Sequence, residues 1–451
     1  MDNRNEELRP YLQPGRRVHL VGIGGVSMRP LGLVLQGMGM IVTGSDMSLS
    51  ASTQELTDRG ITVYIGHHEE NIRGAECVIR TAAVHNDNPE IAAARSAGIP
   101  VFERAQAWGV IMRAYKNAVC VSGTHGKTTT TSMVTHILME ALWDPTVMIG
   151  GYLPLLGAGH RVGQGDTIVL ESCEYCDSFL NFAPTLAVIL NVEADHLDYF
   201  KDLADVQESF REFAMLSSGS VLANGDDPHT VQALEGLDYV TFGFGEHNRV
   251  RAENIRNWRQ LDVICDGQLY CHLELQVIGR HNALNALAAA GAAWMLGISG
   301  ETAARGLAGF SGAERRMQFK GSFHGADIYD DYAHHPDELA ATIDAVRTLD
   351  YKRLIIAFQP HTYTRTKALF DDFVRELKKP DLVVLAEIYA ARERNQFGIS
   401  SMDLQKEVPG SVYCKTLPEV TEFLRKTLQV GDVVLTVGAG DIFRAGEALL
   451  K

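Results

Sequence analysis

Two glycine-rich turns stand at the ends of apolar runs, and the second carries its chemistry openly. It reads Ala118-Val-Cys-Val-Ser-Gly-Thr-His-Gly-Lys-Thr-Thr-Thr130. Gly123 and Gly126 leave backbone N–H groups unshielded, so a polyphosphate can approach them across Thr124 and His125. Lys127 brings a point charge to the outer phosphates, and the Thr128 hydroxyl suits a magnesium nucleotide; Thr129 follows in the same turn. The strict GxxxxGK[ST] spacing fails, because its first glycine would fall at Val121. The motif is a shorter G-T-x-G-K-T. A magnesium nucleotide needs more carboxylate or imidazole. Glu171-Ser-Cys-Glu174 ends one apolar run, and Asn191-Val-Glu-Ala-Asp-His196 ends another. Strands of a parallel sheet share one C-terminal edge, so Thr128, Glu174 and His196 are expected to meet there as metal ligands, beside Lys127.

The first turn reads Val18-His-Leu-Val-Gly22-Ile-Gly24-Gly25-Val26-Ser27-Met28. Its glycines allow a tight turn and close approach to a phosphate, with a helix N-terminus behind them. The pattern is GxGGxS, with Ser27 where a third glycine would stand. Asp46 follows the next apolar run, where an acid can accept from a ribose hydroxyl or a base edge. On the loop alone, NAD is an open alternative ligand.

These residues need strands to hold them. Apolar runs at 18–21, 41–43, 63–65 and 77–79 alternate with helical patterns at 30–37 and 51–59. That alternation predicts βαβ units and parallel sheets. The pattern restarts with a strand at 118–122 and a helix at 127–141, then strands at 168–170, 186–190 and 220–223. Residues 245–280 alternate polar with apolar around the turn Asp266-Gly267, which predicts a small antiparallel hairpin or meander. An Ala-rich helix is predicted at 282–296, and further strands at 328–331, 354–358, 382–386 and 433–437. The reading is an α/β chain of three domains. They are a Rossmann-like domain at 1–115, a P-loop ATPase-like domain with a mostly parallel sheet at 116–312, and a second Rossmann-like domain at 313–451.

Composition limits the function classes. With 451 residues the chain can build several cores without disulfide or metal staples. The 41 basic against 56 acidic residues give a net charge of −15, which argues against a general nucleic-acid or membrane-surface binder. No apolar run is long enough to span a bilayer, so no membrane insertion is expected. Seven scattered cysteines fit a reduced, cytoplasmic setting and buried free thiols better than a disulfide framework. Cys173 and Cys176 form a CxxC without a second pair at zinc-ribbon spacing.

Several strings together resemble the Mur ligases, ATP-dependent amide-bond ligases of peptidoglycan synthesis. They are GTHGKTTT, the acidic strand end, Asn191-Val-Glu-Ala-Asp-His-Leu-Asp-Tyr-Phe200 and Gly279-Arg-His-Asn-Ala-Leu-Asn285. Within the family, the strings DDYAHHP from Asp330, QPHTYTRT from Gln359, IYAARE from Ile388 and GAGD from Gly438 look like the branch that adds L-alanine to UDP-N-acetylmuramate. A branch attaching a tripeptide to the same nucleotide sugar is the alternative, as is a non-catalytic nucleotide-sugar binder.

The resemblance implies roles residue by residue. Gly22, Gly24, Gly25, Val26 and Ser27 would face the UDP diphosphate, with Asp46, His67, Thr81 and Ala82 lining the nucleotide. Gly123 to Thr129 would hold ATP, with Lys127, Glu174 and His196 at the reacting centre and Mg²⁺ on Thr128, Glu174 and His196. His281, Asn282 and Asn285 would meet the adenine side, and Arg315 and Asp331 would complete the ATP site. Tyr332, His334 and Arg365 would take the amino acid. The chain departs from the family where Cys173 and Cys176 replace aspartates, where Thr81-Ala82 replaces a pair of serines, and at Thr362, an arginine in many relatives. The expected partners are small substrates alone, with a monomer or a homodimer as the assembly.

Overall fold

Three sheets organise the chain in the computed structural model, which describes residues 5–451 apart from 82, 198, 348 and 392. The first contains β1 (Arg17–Val21), β2 (Ile41–Asp46), β3 (Thr62–Ile65), β4 (Cys77–Arg80) and β5 (Val101–Glu103). All pairs are parallel, in the order β3-β2-β1-β4-β5. The order reverses between β1 and β4, and the first glycine turn leaves β1 at that switch point. Strand ends diverge there and leave a crevice.

The central sheet contains β6 (Asn117–Ser122), β7 (Thr146–Leu153), β8 (Ala158–Arg161), β9 (Thr167–Glu171), β10 (Leu186–Ile189), β11 (Ser220–Asn224), β12 (Val240–Gly243), β13 (Val250–Arg256), β14 (Gln260–Cys265) and β15 (Gln268–Glu274). Their order is β15-β14-β13-β12-β11-β10-β6-β9-β7-β8. β6 lies between β9 and β10, parallel to both, so the second glycine turn also leaves a strand where the order reverses. The expected hairpin is present at β14–β15. Asp266 (φ 47°) and Gly267 (φ 77°) form a left-handed two-residue turn that matches strand twist. The β7–β8 hairpin was not foreseen. Gly150-Gly151 interrupts its apolar run and the register shifts between Met148 and Leu153, so no strand period is visible there.

The third sheet contains β16 (Gln318–Phe323), β17 (Ala326–Asp331), β18 (Arg353–Phe358), β19 (Leu382–Ala386), β20 (Val412–Cys414) and β21 (Asp432–Val437). The order is β16-β17-β21-β18-β19-β20, with β16 antiparallel and the rest parallel. Leu354, Ile356 and Phe358 enter one apolar core, while Ile355 and Ala357 enter another on the opposite face. Two covered faces explain why these strands read as continuous apolar runs rather than alternating ones.

By contacts the chain forms two compact units. One comprises Met1–Glu253, Val263–Cys271 and Asn285–Leu307; the other comprises Asn254–Asp262, His272–Leu284 and Ala308–Lys451. In the first unit a single apolar core runs from Leu20 and Ile79 in the first sheet through Trp108 to Cys120 and Ile189 in the central one. Among the described residues no helix is long and apolar enough to cross a membrane. Five cysteines are buried as expected, but Cys173 is only half-buried and Cys176 is exposed. These two belong to the irregular segment after β9, where Cys176 and Asp177 take positive φ.

A polar cluster is sealed beneath the first sheet's C-terminal edge. Glu90 is fully buried and accepts from Ser45 Oγ and Asn71 Nδ2, both at 2.5 Å. Burial alone would raise its pKa; facing His19 and the Ser45 and Asn71 donors outweigh that and hold it at about 2. An unfolded glutamate titrates near ~4.3, so the unfolded chain takes up this proton first as pH falls. The contribution is complete above that value and is lost on the way down to the folded one. In full it amounts to about 3 kcal/mol, of which about 2 is gone by pH 3. Wild type is therefore expected to lose about 2 kcal/mol more than Glu90→Gln between pH 6 and pH 3, read from urea unfolding. Parallel acid limbs would refute this.

Candidate active site

The second glycine turn is shaped by what crowds it. A Cβ on Gly123 (φ 145°) would meet Leu190 Cβ at 2.9 Å, and one on Gly126 (φ 85°) would meet Asn285 Oδ1 at 2.6 Å. Both positions therefore require glycine, and Asn285 is brought onto the loop. Asn191 clamps the turn: its Oδ1 accepts from His125 N at 2.7 Å, its Nδ2 donates to His125 O at 3.1 Å, and its carbonyl accepts from Thr124 N at 3.1 Å. Thr124 Oγ1 accepts from Glu193 N at 2.8 Å, and Glu193 Oε2 lies 3.1 Å from His125 Nε2.

Lys127 opens the helix Lys127–Glu140 and turns its ammonium back over the loop. Nζ donates to the carbonyls of Gly123 and Thr124 and to both oxygens of Glu174, at 3.1 and 2.9 Å. Burial opposes the charge, but the Glu174 carboxylate outweighs it and holds the lysine above its ordinary pKa. Thr128 Oγ1 donates to Glu171 Oε1 at 2.9 Å, and Glu171 Oε2 accepts from Gly150 N at 2.6 Å. Thr129 is buried in the same helical turn. His196 has φ 54°, its ring lies 4.7 Å from Tyr175, and its Nε2 is 4.0 Å from Glu174 Oε1. A histidine held at positive φ is a strained position of the sort that clusters in functional sites.

The donors here suit a hard divalent cation. Such ions prefer oxygen; Thr128 Oγ1 lies against Glu171 Oε1, and Glu174 Oε1 stands 4.0 Å from the His196 imidazole. Glu174, 2 % exposed, has its charge paired with Lys127 at 2.9 Å.

The first glycine turn is braced from the ends of neighbouring strands. Gly22 N and Ile23 N donate to Ser45 O at 2.8 and 2.9 Å, and Gly24 N donates to Asp46 Oδ2 at 2.9 Å. Asp46 thus braces the loop with one oxygen, a task its sequence position did not reveal. Gly25 N donates to Gly22 O, the Val26 side chain is exposed, and Thr81 packs within 2.8 Å of where a Gly22 Cβ would lie. His67 follows β3 and brings Nδ1 to 3.0 Å from Ser45 Oγ. Ala82 lies outside the described residues.

The second unit holds the remaining residues. Arg315 (φ 58°) donates to Asp330 Oδ2 at 2.9 Å and to the carbonyls of Gly440 and Gly438. Tyr332 lies under both Arg315 and Arg316, at 4.8 and 5.3 Å. Asp331 accepts from Met317 N and Ala333 N, and burial raises its pKa to about 6 against the pull of Arg316. His281 and Asn282 stand in the first turn of the helix Arg280–Met295, which begins earlier than expected; burial, then Arg316, lowers His281 to about 4. His334 Nδ1 meets Tyr332 O at 3.0 Å, its ring lies 6.0 Å from His361, and Arg365 Nη1 is 3.5 Å from His361 Nδ1. Tyr332, His334 and Arg365 are thereby brought to one edge, past β17 and β18. Thr362 takes φ 67° ahead of the helix Tyr363–Ala368, an unusual backbone for a β-branched residue.

Sequence reasoning missed several residues. Asn191 and Glu171 stand in the strings singled out above, but neither is assigned a role there. Arg104 gave no signal, being 77 positions from the Ser27 Oγ to which it donates. It also reaches Ser178 Oγ at 3.5 Å. Burial lowers its pKa against the pull of Cys173 and the Glu103 carboxylate.

Comparison with known proteins adds a second line of evidence. Residues 17–116 match the model "Mur ligase family, catalytic domain", 121–293 match "Mur ligase middle domain" and 315–440 match "Mur ligase, glutamate ligase domain". A UDP-N-acetylmuramate–L-alanine ligase of Caldicellulosiruptor saccharolyticus is 43% identical, covering 96% of this chain and 97% of its own. Its namesake in Caldanaerobacter subterraneus is 42% identical over 98% of both chains. Among solved structures, a UDP-N-acetylmuramate–alanine ligase of Thermotoga maritima is similar with a TM-score of 0.79 and 28% identity, covering 96% of this chain and 98% of that one. A murein peptide ligase of Psychrobacter arcticus shares the fold, with a TM-score of 0.70 at 22% identity over 97% of this chain and 98% of that one.

Proposed function

The chain belongs to the Mur ligase family, and on that premise we propose that it joins L-alanine to the carboxylate of UDP-N-acetylmuramate at the expense of ATP. The products are UDP-N-acetylmuramoyl-L-alanine, ADP and phosphate, and the reaction serves peptidoglycan synthesis in the cytoplasm. The observation that carries this is near-full-length identity of 42–43% with relatives named for that activity. The division at 1–115, 116–312 and 313–451 stands as our reading, supported by three separate family matches. We read the assembly as a monomer or a homodimer.

A carboxylate is a poor acyl donor because oxide is a poor leaving group. The γ-phosphoryl group of ATP passes to a carboxylate oxygen, giving an acyl phosphate and ADP. The alanine amine attacks the acyl carbon, the tetrahedral centre collapses, and phosphate leaves with the C–O bond electrons. Lys127 supplies fixed positive charge where the phosphoryl group is in flight. To do so its ammonium exchanges Glu174 for phosphate oxygens. Magnesium, held by Thr128, Glu174 and His196 with Glu171 beside them, would neutralise phosphate charge. Arg365 offers a planar fork to the alanine carboxylate, with Tyr332 and His334 alongside. The general base is unassigned.

Arg104 joins this machinery as a buried cation that donates to Ser27 of the first glycine turn. Arg104→Ala is expected to raise KM for the nucleotide sugar about 10- to 100-fold, the worth of a hydrogen bond to a charged group. KM for ATP should stay within about twofold, and an unchanged nucleotide-sugar KM would remove the residue from the site.

The decisive assay is phosphate release with ATP, Mg²⁺ and UDP-N-acetylmuramate. L-alanine, glycine, L-serine and L-Ala-γ-D-Glu-diaminopimelate are tested in parallel, with the product confirmed by mass. Release is expected to be strongest with L-alanine. Release only with the tripeptide would move the chain to peptide attachment, and no amine-dependent release would leave a nucleotide-sugar binder.

A further inference from the structure

We propose that Glu90 is a positioning residue that makes the first-sheet site selective for uracil over cytosine, by holding the ring proton of His67 on Nδ1. The inference rests on the reading of the β1–β4 edge as the nucleotide pocket.

The argument counts protons. An ionised carboxylate only accepts, and Glu90 Oε2 lies 3.2 Å from His67 Nδ1. Ser45 Oγ, 3.0 Å from the same nitrogen, gives its single proton to Glu90 at 2.5 Å. Toward the ring Ser45 therefore presents a lone pair as well. Both neighbours of Nδ1 are acceptors, so Nδ1 carries hydrogen. In the neutral ring Nε2 is left as an acceptor, and among the described residues it makes no hydrogen bond to the protein.

Glu90 is itself held. Asn71 donates to its Oε1, and His19, fully buried and tied to Thr43 Oγ1 at 2.9 Å, places Nε2 3.7 Å from Oε2. Asn71 also donates to Gly66 O at 3.0 Å, and Gly66 N donates to Asp46 O at 2.8 Å. The carboxylate thus sits in a frame that also fixes the backbone before His67 and the strand end at Asp46. Glu90 has no exposure, so it reaches a ligand only through the imidazole. The ring keeps 11% of its side-chain exposure.

Uracil presents an N3–H donor between two carbonyls. Cytosine presents a lone pair at N3. An imidazole acceptor fixed in place pairs with the first and opposes the second. Sites built to bond one N–H reject the analogue lacking it, because their own polar atom is left unpaired.

The test is titration calorimetry of UDP and CDP with wild type, Glu90→Gln and His67→Ala, joined to ¹⁵N NMR of the histidine rings. Wild type is expected to prefer UDP by about 100-fold and to show His67 protonated on Nδ1. In Glu90→Gln the amide can donate to the ring and drive its proton to Nε2. UDP affinity should then fall and the UDP:CDP ratio drop below tenfold. At saturating substrates kcat should be retained while KM rises. A ring protonated on Nε2 in neutral wild type overturns the proposal, as does a Glu90→Gln variant with the full ratio. The NMR result decides alone if that variant does not fold. Unchanged UDP affinity in His67→Ala would instead move the nucleotide pocket away from this edge, and the underlying reading would fail first.

Discussion

Lys127→Ala is expected to lower kcat by about 10³-fold or more while UDP affinity stays within about twofold. Electrostatic groups aimed at developing charge contribute about 10²- to 10³-fold each, and cations on a transferring phosphoryl group about 10³- to 10⁵-fold. Lys127 belongs to the upper range. Its side chain is only 14 % exposed, so solvent screens it weakly. The Gly123 and Thr124 carbonyls hold it over the glycine turn, so it stays in place while it exchanges Glu174 for phosphate oxygens. Lys127→Arg should recover little, since a longer planar group cannot fold back onto those carbonyls. Single-turnover phosphate release measures the loss, and calorimetry with UDP checks that the first sheet is undisturbed. Turnover within tenfold of wild type would remove the ATP-loop assignment.

The second large effect concerns stability. Lys127 and Glu174 form an ion pair with side-chain exposures of 14 % and 2 %. Removing one partner leaves the other charged and desolvated, which costs about 3–5 kcal/mol. Lys127→Ala and Glu174→Ala should each destabilise the ligand-free protein by roughly that amount. The double variant should be more stable than the sum of the two predicts, with a coupling of about 2 kcal/mol. The two losses differ in origin. Without Lys127, the Glu174 carboxylate is left buried without the ammonium that faced it. Without Glu174, the ammonium keeps two carbonyl partners and the attraction of the Glu171 carboxylate, so that deficit should be the smaller of the two. Urea unfolding of the four proteins checks this, and strict additivity would mean that solvent already screens the pair.

Chemistry-bearing strings and the strands before them were legible because each is local. Gly-Thr-His-Gly-Lys-Thr after an apolar run, and Gly22-Ile-Gly24-Gly25 after another, announce a glycine turn at a strand end within a dozen residues. Strand interiors at β18, β19 and β21 were equally plain, because burial on both faces writes an unbroken apolar run. The β7–β8 hairpin was not legible, since Gly150-Gly151 and the shifted register erase its period.

What the sequence determined by itself was the inventory: two glycine turns, Lys127 and Thr128, the acids at strand ends, and an alternation that yields α/β sheets. Only the tertiary structure decided the partners. Asn191 closes on His125 across 66 positions, Arg104 on Ser27 across 77, and Ser45 on Glu90 across 45. Two sheets, one reversing its order beside β1 and the other beside β6, make those encounters. Which atom of Asp46 braces Gly24, and on which nitrogen His67 holds its proton, follow from packing between distant segments. Residue type and local spacing carry no record of that, because a hydrogen bond depends on where two backbones pass, and the chain path alone sets that.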